Sequence, residues 1–297
     1  MKIVALIVTH NRLPLLQEAI AALQKQTLPV EILVVNNGST DQTAQWLATQ
    51  PVQVITQQNE GASGGFFTGI NQAYLQGADW IWAMDDDTIP STTAVEKLLR
   101  VAEKCQQTST QVGFLVSQAN WIDGNSHLMN IPDFKTTSLS NLLPLSEMNI
   151  REVQSASFVS LLIARQAVAT CGLPIREFFI WADDTEYTTR ITRAGLAGIY
   201  VPESVVLHKT AFNYSADLYD AKPSEAIKHF YGIRNKLYCR RKWKGEFSFW
   251  RNILKHLFVF PIRIIHKRHD HRWKFILINW KATLAALFFN PSIQMPA

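Results

Sequence analysis

Three consecutive carboxylates, Asp85, Asp86 and Asp87, close the stretch "WIWAMDDDTIP", in which an apolar run from Trp80 leads straight into them. Burying an ionised carboxylate costs several kcal/mol unless it is paired, so a triplet at the end of a core strand needs a reason, and a bound cation is one. Side chains alternate along an extended chain, so Asp85 and Asp87 point the same way and can share a divalent ion. A solvated turn capping a helix that starts near Ser91 is the plainer alternative. Three acids in this setting would serve a phosphatase or a kinase as well as a sugar transferase.

A second acidic cluster, "WADDTE", narrows the chemistry. Asp183 and Glu186 have the spacing of a helix capping box, which gives them a structural use. Asp184 has no such use. An acid in the first turn of a helix is kept ionised by the helix dipole and can accept a proton from an attacking hydroxyl. Trp181, just ahead, can stack on a sugar or pack into the core. His208 ends the apolar run of "GIYVPESVVLHK". Two carboxylates, a neutral imidazole and phosphate oxygens make an acceptable shell for Mn2+ or Mg2+.

The glycine-rich "NEGASGGF" is not a phosphate-binding P-loop, because "GKS" or "GKT" is missing. It reads as a turn whose glycines let backbone approach a ligand closely. The first strand has no GxGxxG behind it, which counts against a nicotinamide or flavin enzyme.

These residues need a scaffold that gathers them. "KIVALIVTH", "EILVVNNGS", "VQVITQQ" and "DWIWAM" read as strands, with helices over "LPLLQEAIAALQKQ", "TDQTAQWLATQ" and near Thr68 to Gln76 between them. A strand "SFVSLLIA", a helix from Arg165, a helix ending at Gly195 and the strand carrying His208 follow a weakly patterned middle, Trp121 to Arg151. Alternating strands and helices imply a mostly parallel sheet covered on both faces. Ligands collect beyond the carboxyl ends of such strands, where "THNR", "NNGSTD" and "DDD" fall.

Taken in order, "VTHNR", "VVNNGSTDQT", "NEGASGGFFTGI", "DWIWAMDDDTIP" and "FFIWADDTEYTTRITRAG", with His208 beyond them, resemble family 2 glycosyltransferases of the GT-A fold. Within that group the likeness is to galactofuranosyltransferases and related rhamnosyltransferases. It covers residues 1 to about 210, and "HFYGIRNKLY", residues 229 to 238, is similar to a segment often found after the catalytic domain. The resemblance implies an α/β GT-A nucleotide-sugar-binding domain over residues 1–224, with a mixed, mostly parallel central sheet, and a basic, aromatic helical region over residues 225–297.

It also implies inverting, metal-dependent transfer from a nucleotide-sugar, a UDP-sugar by preference, to a hydroxyl of a glycan or polyprenyl-linked glycan. Carried over by position, Thr9, Asn11, Arg12, Asn37 and Asp41 hold the base and ribose, and Asn59, Gly61, Gly64, Gly65 and Asp86 lie along the donor. Asp85, Asp87 and His208 match the metal ligands and Asp184 the general base, with Trp181 and Asp183 on the acceptor side. Many members have Asp-Asn where this chain has Asn36 and Asn37. The implied reaction moves galactofuranose from UDP-galactofuranose to a lipid-linked cell-surface polysaccharide precursor. TDP-rhamnose is the alternative donor, and a non-catalytic nucleotide- or glycan-binding scaffold is a reading from another class. Both acidic clusters and the histidine are present, which speaks for an enzyme.

Charge divides the chain: residues 225–297 hold fifteen Lys and Arg against three acids, and residues 1–224 hold fourteen against twenty-one. Cations interleaved with Trp, Phe and Ile suit an anionic membrane surface. A helical subdomain packing on the body or on a second subunit, as in a homo-oligomer, is the rival. Nucleic acid is not expected as a partner, because no nucleic-acid module accompanies the tail. "FILINWKATLAALFF" spans about 22 Å as a helix, short of the ~30 Å bilayer core. Nothing at the amino terminus reads as a signal peptide, and Cys105, Cys171 and Cys239 show no metal or disulfide spacing. The expected location is cytoplasmic, peripheral on the inner face of the cell membrane.

Overall fold

The computed structural model describes residues 1–136, 148–213 and 217–296. Part of the unassigned middle segment, residues 137–147, lies outside the described residues. Chain contacts divide the protein into two compact units, one of Met1–Arg176, Asp184–Tyr214 and Ile293–Ala297, the other of Glu177–Asp183 and Ser215–Ser292.

The first unit is built on a sheet of ten strands among the described residues. Its opening strands, β1 (Ile3–Thr9), β2 (Glu31–Asn37), β3 (Gln53–Gln57) and β4 (Trp80–Asp85), alternate with helices α1 (Leu13–Gln24), α2 (Thr43–Leu47) and α3 (Gly61–Leu75). All four strands run parallel in the order β3-β2-β1-β4. The chain thus steps outward from β1 to β3 and returns to the other side of β1. That reversal leaves a crevice at the carboxyl ends of β1 and β4.

The second half adds β5 (Thr88–Pro90), α4 (Ala94–Gln107), β6 (Val112–Asn120), β7 (Asp133–Phe134), β8 (Arg151–Ser155) and β9 (Leu161–Ala164). Helices α5 (Arg165–Cys171) and α6 (Asp183–Arg193) precede the long strand β10 (Ala197–His208). Here the sheet turns mixed: β9 runs antiparallel to β4 and β6, while β6 and β10 are parallel. The fold is therefore α/β with a mixed, mostly parallel central sheet.

Strand periodicity explains why these runs are apolar throughout. Ile3, Ala5 and Ile7 of β1 face one core cluster with Leu16 and Ile20 of α1 and Leu98 of α4. Val4, Leu6 and Val8 face the other, with Phe66 and Ile70 of α3, Val168 of α5 and Tyr187 of α6. A sheet covered on both faces needs no polar alternation.

Two local expectations are corrected. The "NEGASGGF" stretch is not a turn, because α3 begins at Gly61 rather than near Thr68. Its glycines bring the helix onto β1: a Cβ on Gly65 would lie 2.4 Å from Cγ1 of Val8, and one on Gly69 2.2 Å from Cδ1 of Leu6. The helix expected near Ser91 starts three residues later, after a short strand. Residues Thr88–Pro90 form β5, antiparallel to β10, and α4 starts at Ala94.

The second unit contains α7 (Ala226–Leu254), a π-helical turn at Lys255–Val259, α8 (Phe260–Lys267) and α9 (Arg272–Phe288). Gly245, at φ 76°, breaks α7 internally. Leu237, Phe249, Ile253 and Ala286 form one small core, and Ala226, Ile264, Phe275 and Ile276 another. No helix among the described residues is long and apolar enough to cross a membrane. The three cysteines are free thiols, all buried.

Candidate active site

The register of the parallel strands sets out the rim. Thr9 pairs with Asn36 across β1 and β2, and Val8 pairs with Asp85 across β1 and β4, so "THNR", "NNGS" and "DDD" leave the sheet at one level. His208 arrives from β10, whose antiparallel pairing with β5 sets it opposite Thr88. Lys209 extends that pairing, its backbone N–H donating to the Asp87 carbonyl at 2.9 Å.

Asp85, Asp87 and His208 each bring one ligand atom to within 4.8 Å of the others, a group that can hold a metal ion. Oδ1 of Asp87 lies 3.0 Å from Nε2 of His208. That contact is an ion pair when the ring is protonated; a neutral ring with its proton on Nδ1 leaves the buried Oδ1 without a donor. On the other side of the ring, Nδ1 of His208 is 2.7 Å from Oδ1 of Asn130. An Nδ1–H donating to that amide oxygen leaves the Nε2 lone pair for a cation. Two hard carboxylates, one of them with that buried oxygen, and one imidazole fit Mn2+ or Mg2+.

Burial pushes Asp85 up to about 7, helped by the charges of Asp87 and Asp86. Asp86 is pushed up to about 6, again chiefly by burial. For Asp87 burial acts the same way, but contact with His208 and the charge of Arg12 outweigh it and hold the acid below its ordinary value. The same contact raises His208 against the effect of its own burial. Crowded acids that resist ionisation without a counter-charge are what a divalent cation stabilises.

Arg12 supplies part of that counter-charge, its Nη1 lying 2.6 Å from Oδ2 of Asp87 and 3.4 Å from Oδ1 of Asp86. Thr9 donates its hydroxyl to Oδ2 of Asp86 at 2.8 Å. Asn11, in a left-handed conformation, accepts at Oδ1 from the backbone of Thr40 at 2.7 Å and of Asp41 at 3.3 Å. The Asp41 carboxylate is turned to the Thr43 amide at 3.0 Å. Asn37 is buried and committed to the chain: it donates to the Gly61 carbonyl at 2.8 Å and accepts from Gln57 and the Glu60 amide. Asn59 accepts from the Gly61 amide at 2.9 Å. Gly64 is buried in α3, where an added Cβ would meet Cβ of Glu60 at 2.5 Å.

Asp184 lies in the first turn of α6, its Oδ1 accepting from the Thr185 amide at 2.6 Å. Glu186 is paired with Arg190 one turn on, at 2.8 Å. Asp183 is buried. Trp181 packs in the second unit, edge-on to His229 at 4.9 Å and over Gly232, where a Cβ would come within 2.7 Å of the indole.

Sequence reasoning missed three contributors. Asn130 sits in the segment without a pattern. His10 bridges three rim loops, its Nδ1 3.0 Å from the Asn37 carbonyl and its Nε2 3.4 Å from the amides of Asn11 and Asn59. Within the second unit, Asn235 of α7 donates to the carbonyls of Phe178 and Trp181 at 2.9 Å and of Ile180 at 3.2 Å. A signal for the last was present, since Asn235 belongs to the "HFYGIRNKLY" segment already singled out.

Comparison with known proteins bears on this arrangement. Residues 4–153 match the family model for glycosyl transferase family 2. Galactofuranosyltransferase GlfT1 of Mycobacterium tuberculosis is 28% identical over 257 residues, covering 79% of this chain and 80% of its own. GlfT1 of Mycolicibacterium smegmatis is 26% identical over 253 residues, with 79% and 81% covered. N-acetylglucosaminyl-diphospho-decaprenol L-rhamnosyltransferase of M. tuberculosis is 26% identical over 240 residues, with 71% and 76% covered. Among solved structures, GalNAc-T7 with UDP, GalNAc and Mn2+ superposes with a TM-score of 0.61 at 13% identity over 95% of this chain. The chain spans 54% of that protein's length, and the likeness is one of fold, GT-A.

Proposed function

Because the chain belongs to glycosyl transferase family 2 and is a glycosyltransferase, we propose that it transfers galactofuranose from UDP-galactofuranose, with inversion, to a lipid-linked cell-surface polysaccharide precursor. The observation that carries this reading is the convergence of Asp85, Asp87 and His208 at the carboxyl ends of the strands. The choice of sugar follows the relatives named galactofuranosyltransferase. TDP-rhamnose is the second reading, favoured by the relative named as a rhamnosyltransferase.

In the proposed mechanism, Asp85, Asp87 and His208 would hold a Mn2+ or Mg2+ ion, with Asn130 keeping the imidazole in its ligating tautomer. When bound, such an ion offsets the charge of a leaving diphosphate. Thr9 and Arg12 keep Asp86 ionised beside it, and the loops carrying Asn11, Asn37, Asp41 and Asn59 form the nucleotide side. Asp184 takes the proton of the acceptor hydroxyl as it attacks the anomeric carbon, so no covalent sugar intermediate is needed. Trp181 and Asp183, next to it in the chain, are the acceptor contacts. Residues 1–224 act as the catalytic domain and residues 225–297 as a membrane-associating region on the inner face.

The test is a panel of nucleotide-sugars assayed for hydrolysis and transfer with Mn2+, with Mg2+ and with EDTA. Metal-dependent turnover of UDP-galactofuranose ahead of TDP-rhamnose supports the reading. Turnover that ignores EDTA removes the metal role, and preference for TDP-rhamnose makes the second reading the correct one.

A further inference from the structure

The stretch after the Gly245 break carries two apolar ridges where a packed helix needs one. The inner ridge, Phe249, Ile253 and Ile264, is buried in the two small cores of the second unit. The outer ridge, Phe247, Trp250, Leu254, Phe258, Ile262 and Ile265, advances in steps of three or four, each side chain between 42% and 81% exposed. In an α-helix three steps of four advance the ridge by about 40° each and two steps of three turn it back by about 60° each, which keeps it on one side.

Exposed cations run beside the outer ridge: Arg251, Lys255, Arg263 and Lys267. From Glu246 to the end of the chain the only acids are Glu246 and Asp270. A second copy laid ridge to ridge would set these cations against each other, with Glu246, already paired with Arg241 at 2.6 Å, the one carboxylate of the stretch to match them. An anionic lipid surface supplies both the missing negative charge and an apolar layer for Trp250 and Phe258.

We infer that the outer ridge of residues 246–267 is the face by which this protein lies on an anionic bilayer, with its helix axis in the membrane plane. The inference rests on the membrane-associating reading of residues 225–297 and assigns that role to one face. At 1.5 Å per residue the stretch covers about 33 Å of membrane surface, lying flat rather than crossing. No step of the sugar chemistry depends on it.

The full chain is tested by sedimentation with vesicles of phosphatidylcholine alone and of equal parts phosphatidylcholine and phosphatidylglycerol. Wild type is expected to sediment with the mixed vesicles, to be released by high salt and to stay in solution with phosphatidylcholine. The double variant Trp250→Ser, Phe258→Ser should partition at least about tenfold more weakly. Its melting temperature and donor hydrolysis in solution should be unchanged, and Leu128→Ser, at an exposed apolar residue of the first unit, should bind like wild type. If the serine variant does not fold, Arg251→Glu, Lys255→Glu provides the same test through charge. Wild-type binding by these variants overturns the inference. So does loss of binding only in Trp273→Ser, Leu277→Ser, or a wild-type dimer that ignores vesicles and is dissolved by the ridge variants. Donor turnover without vesicle binding defeats this inference alone, and vesicle binding without turnover defeats only the proposed reaction.

Discussion

The two acidic clusters are held in place in opposite ways. Asp85, Asp87 and His208 stand on regular strands, and their meeting follows from the parallel register of β1 and β4 and the antiparallel pairing of β5 with β10. The segment running into Asp184 has no such ladder. Phe179, Trp181 and Ala182 all adopt positive φ, 64°, 67° and 68°, a region that costs a residue with a side chain about 1–3 kcal/mol. That backbone is tied down from α7, by the Asn235 amide on three carbonyls and by Arg234 on the Glu177 carbonyl at 2.6 Å. The first cluster is a product of sheet geometry, whereas the backbone leading to the second is strained and held by hydrogen bonds within the second unit.

The contrast is broken most sharply by removing a ligand from the first cluster. Asp87→Ala should lower donor turnover by about three orders of magnitude, the scale of several kcal/mol of charge stabilisation, and abolish the rise in melting temperature caused by Mn2+. Asp184→Asn should lower turnover by at least about a hundredfold in a transfer assay while nucleotide and Mn2+ still stabilise the fold. Equal loss of metal binding in both variants would mean that the clusters are one unit.

This difference also explains what could be read from the chain. The strands β1, β2 and β4 are continuous apolar runs ending in polar groups, so both the sheet and the rim residues Thr9, Asn37 and Asp85 were legible. Pairing of His208 with Asp87 depends on β5, a three-residue strand with no periodicity to detect. The start of α3 was hidden because glycines, poor helix formers, are present there for close packing on Val8 and Leu6. Nothing about Phe179, Trp181 or Ala182 announces positive φ, which favours glycine and asparagine. The strain comes from partners more than fifty positions later in the chain.

Two further measurements sharpen the description of the first cluster. Asn130→Ala frees the His208 ring to take either tautomer, and should weaken Mn2+ binding by about 10–100-fold in calorimetry with little effect on folding. Protons compete for the same ligands. Asp85, pushed up to about 7, and His208, held above its ordinary value, must each release a proton before coordinating. Affinity for Mn2+ should therefore rise with pH, by about tenfold or more between pH 6 and pH 8. Affinity that is flat over this range would show that neither group is a ligand.

The smallest effects belong to the second cluster, where strain and restraint should trade against each other. Asn235→Ala takes the side-chain donor from the part-buried Ile180 and Trp181 carbonyls, while the Phe178 carbonyl keeps the Ile180 amide; at about 1–3 kcal/mol for a lost partner it should lower the melting temperature by several degrees. Turnover should fall severalfold, because Trp181, the proposed acceptor contact, would be carried by a looser segment, with no change in Mn2+ affinity. Ala182→Gly removes the cost of positive φ at one of the three positions and should raise the melting temperature slightly in the wild-type background. In the Asn235→Ala background the same glycine should restore stability without restoring turnover, since glycine relaxes the backbone but does not aim it. If it restores both, strain alone accounts for the defect. Asn235 then positions nothing, and the restraint from α7 matters to folding only.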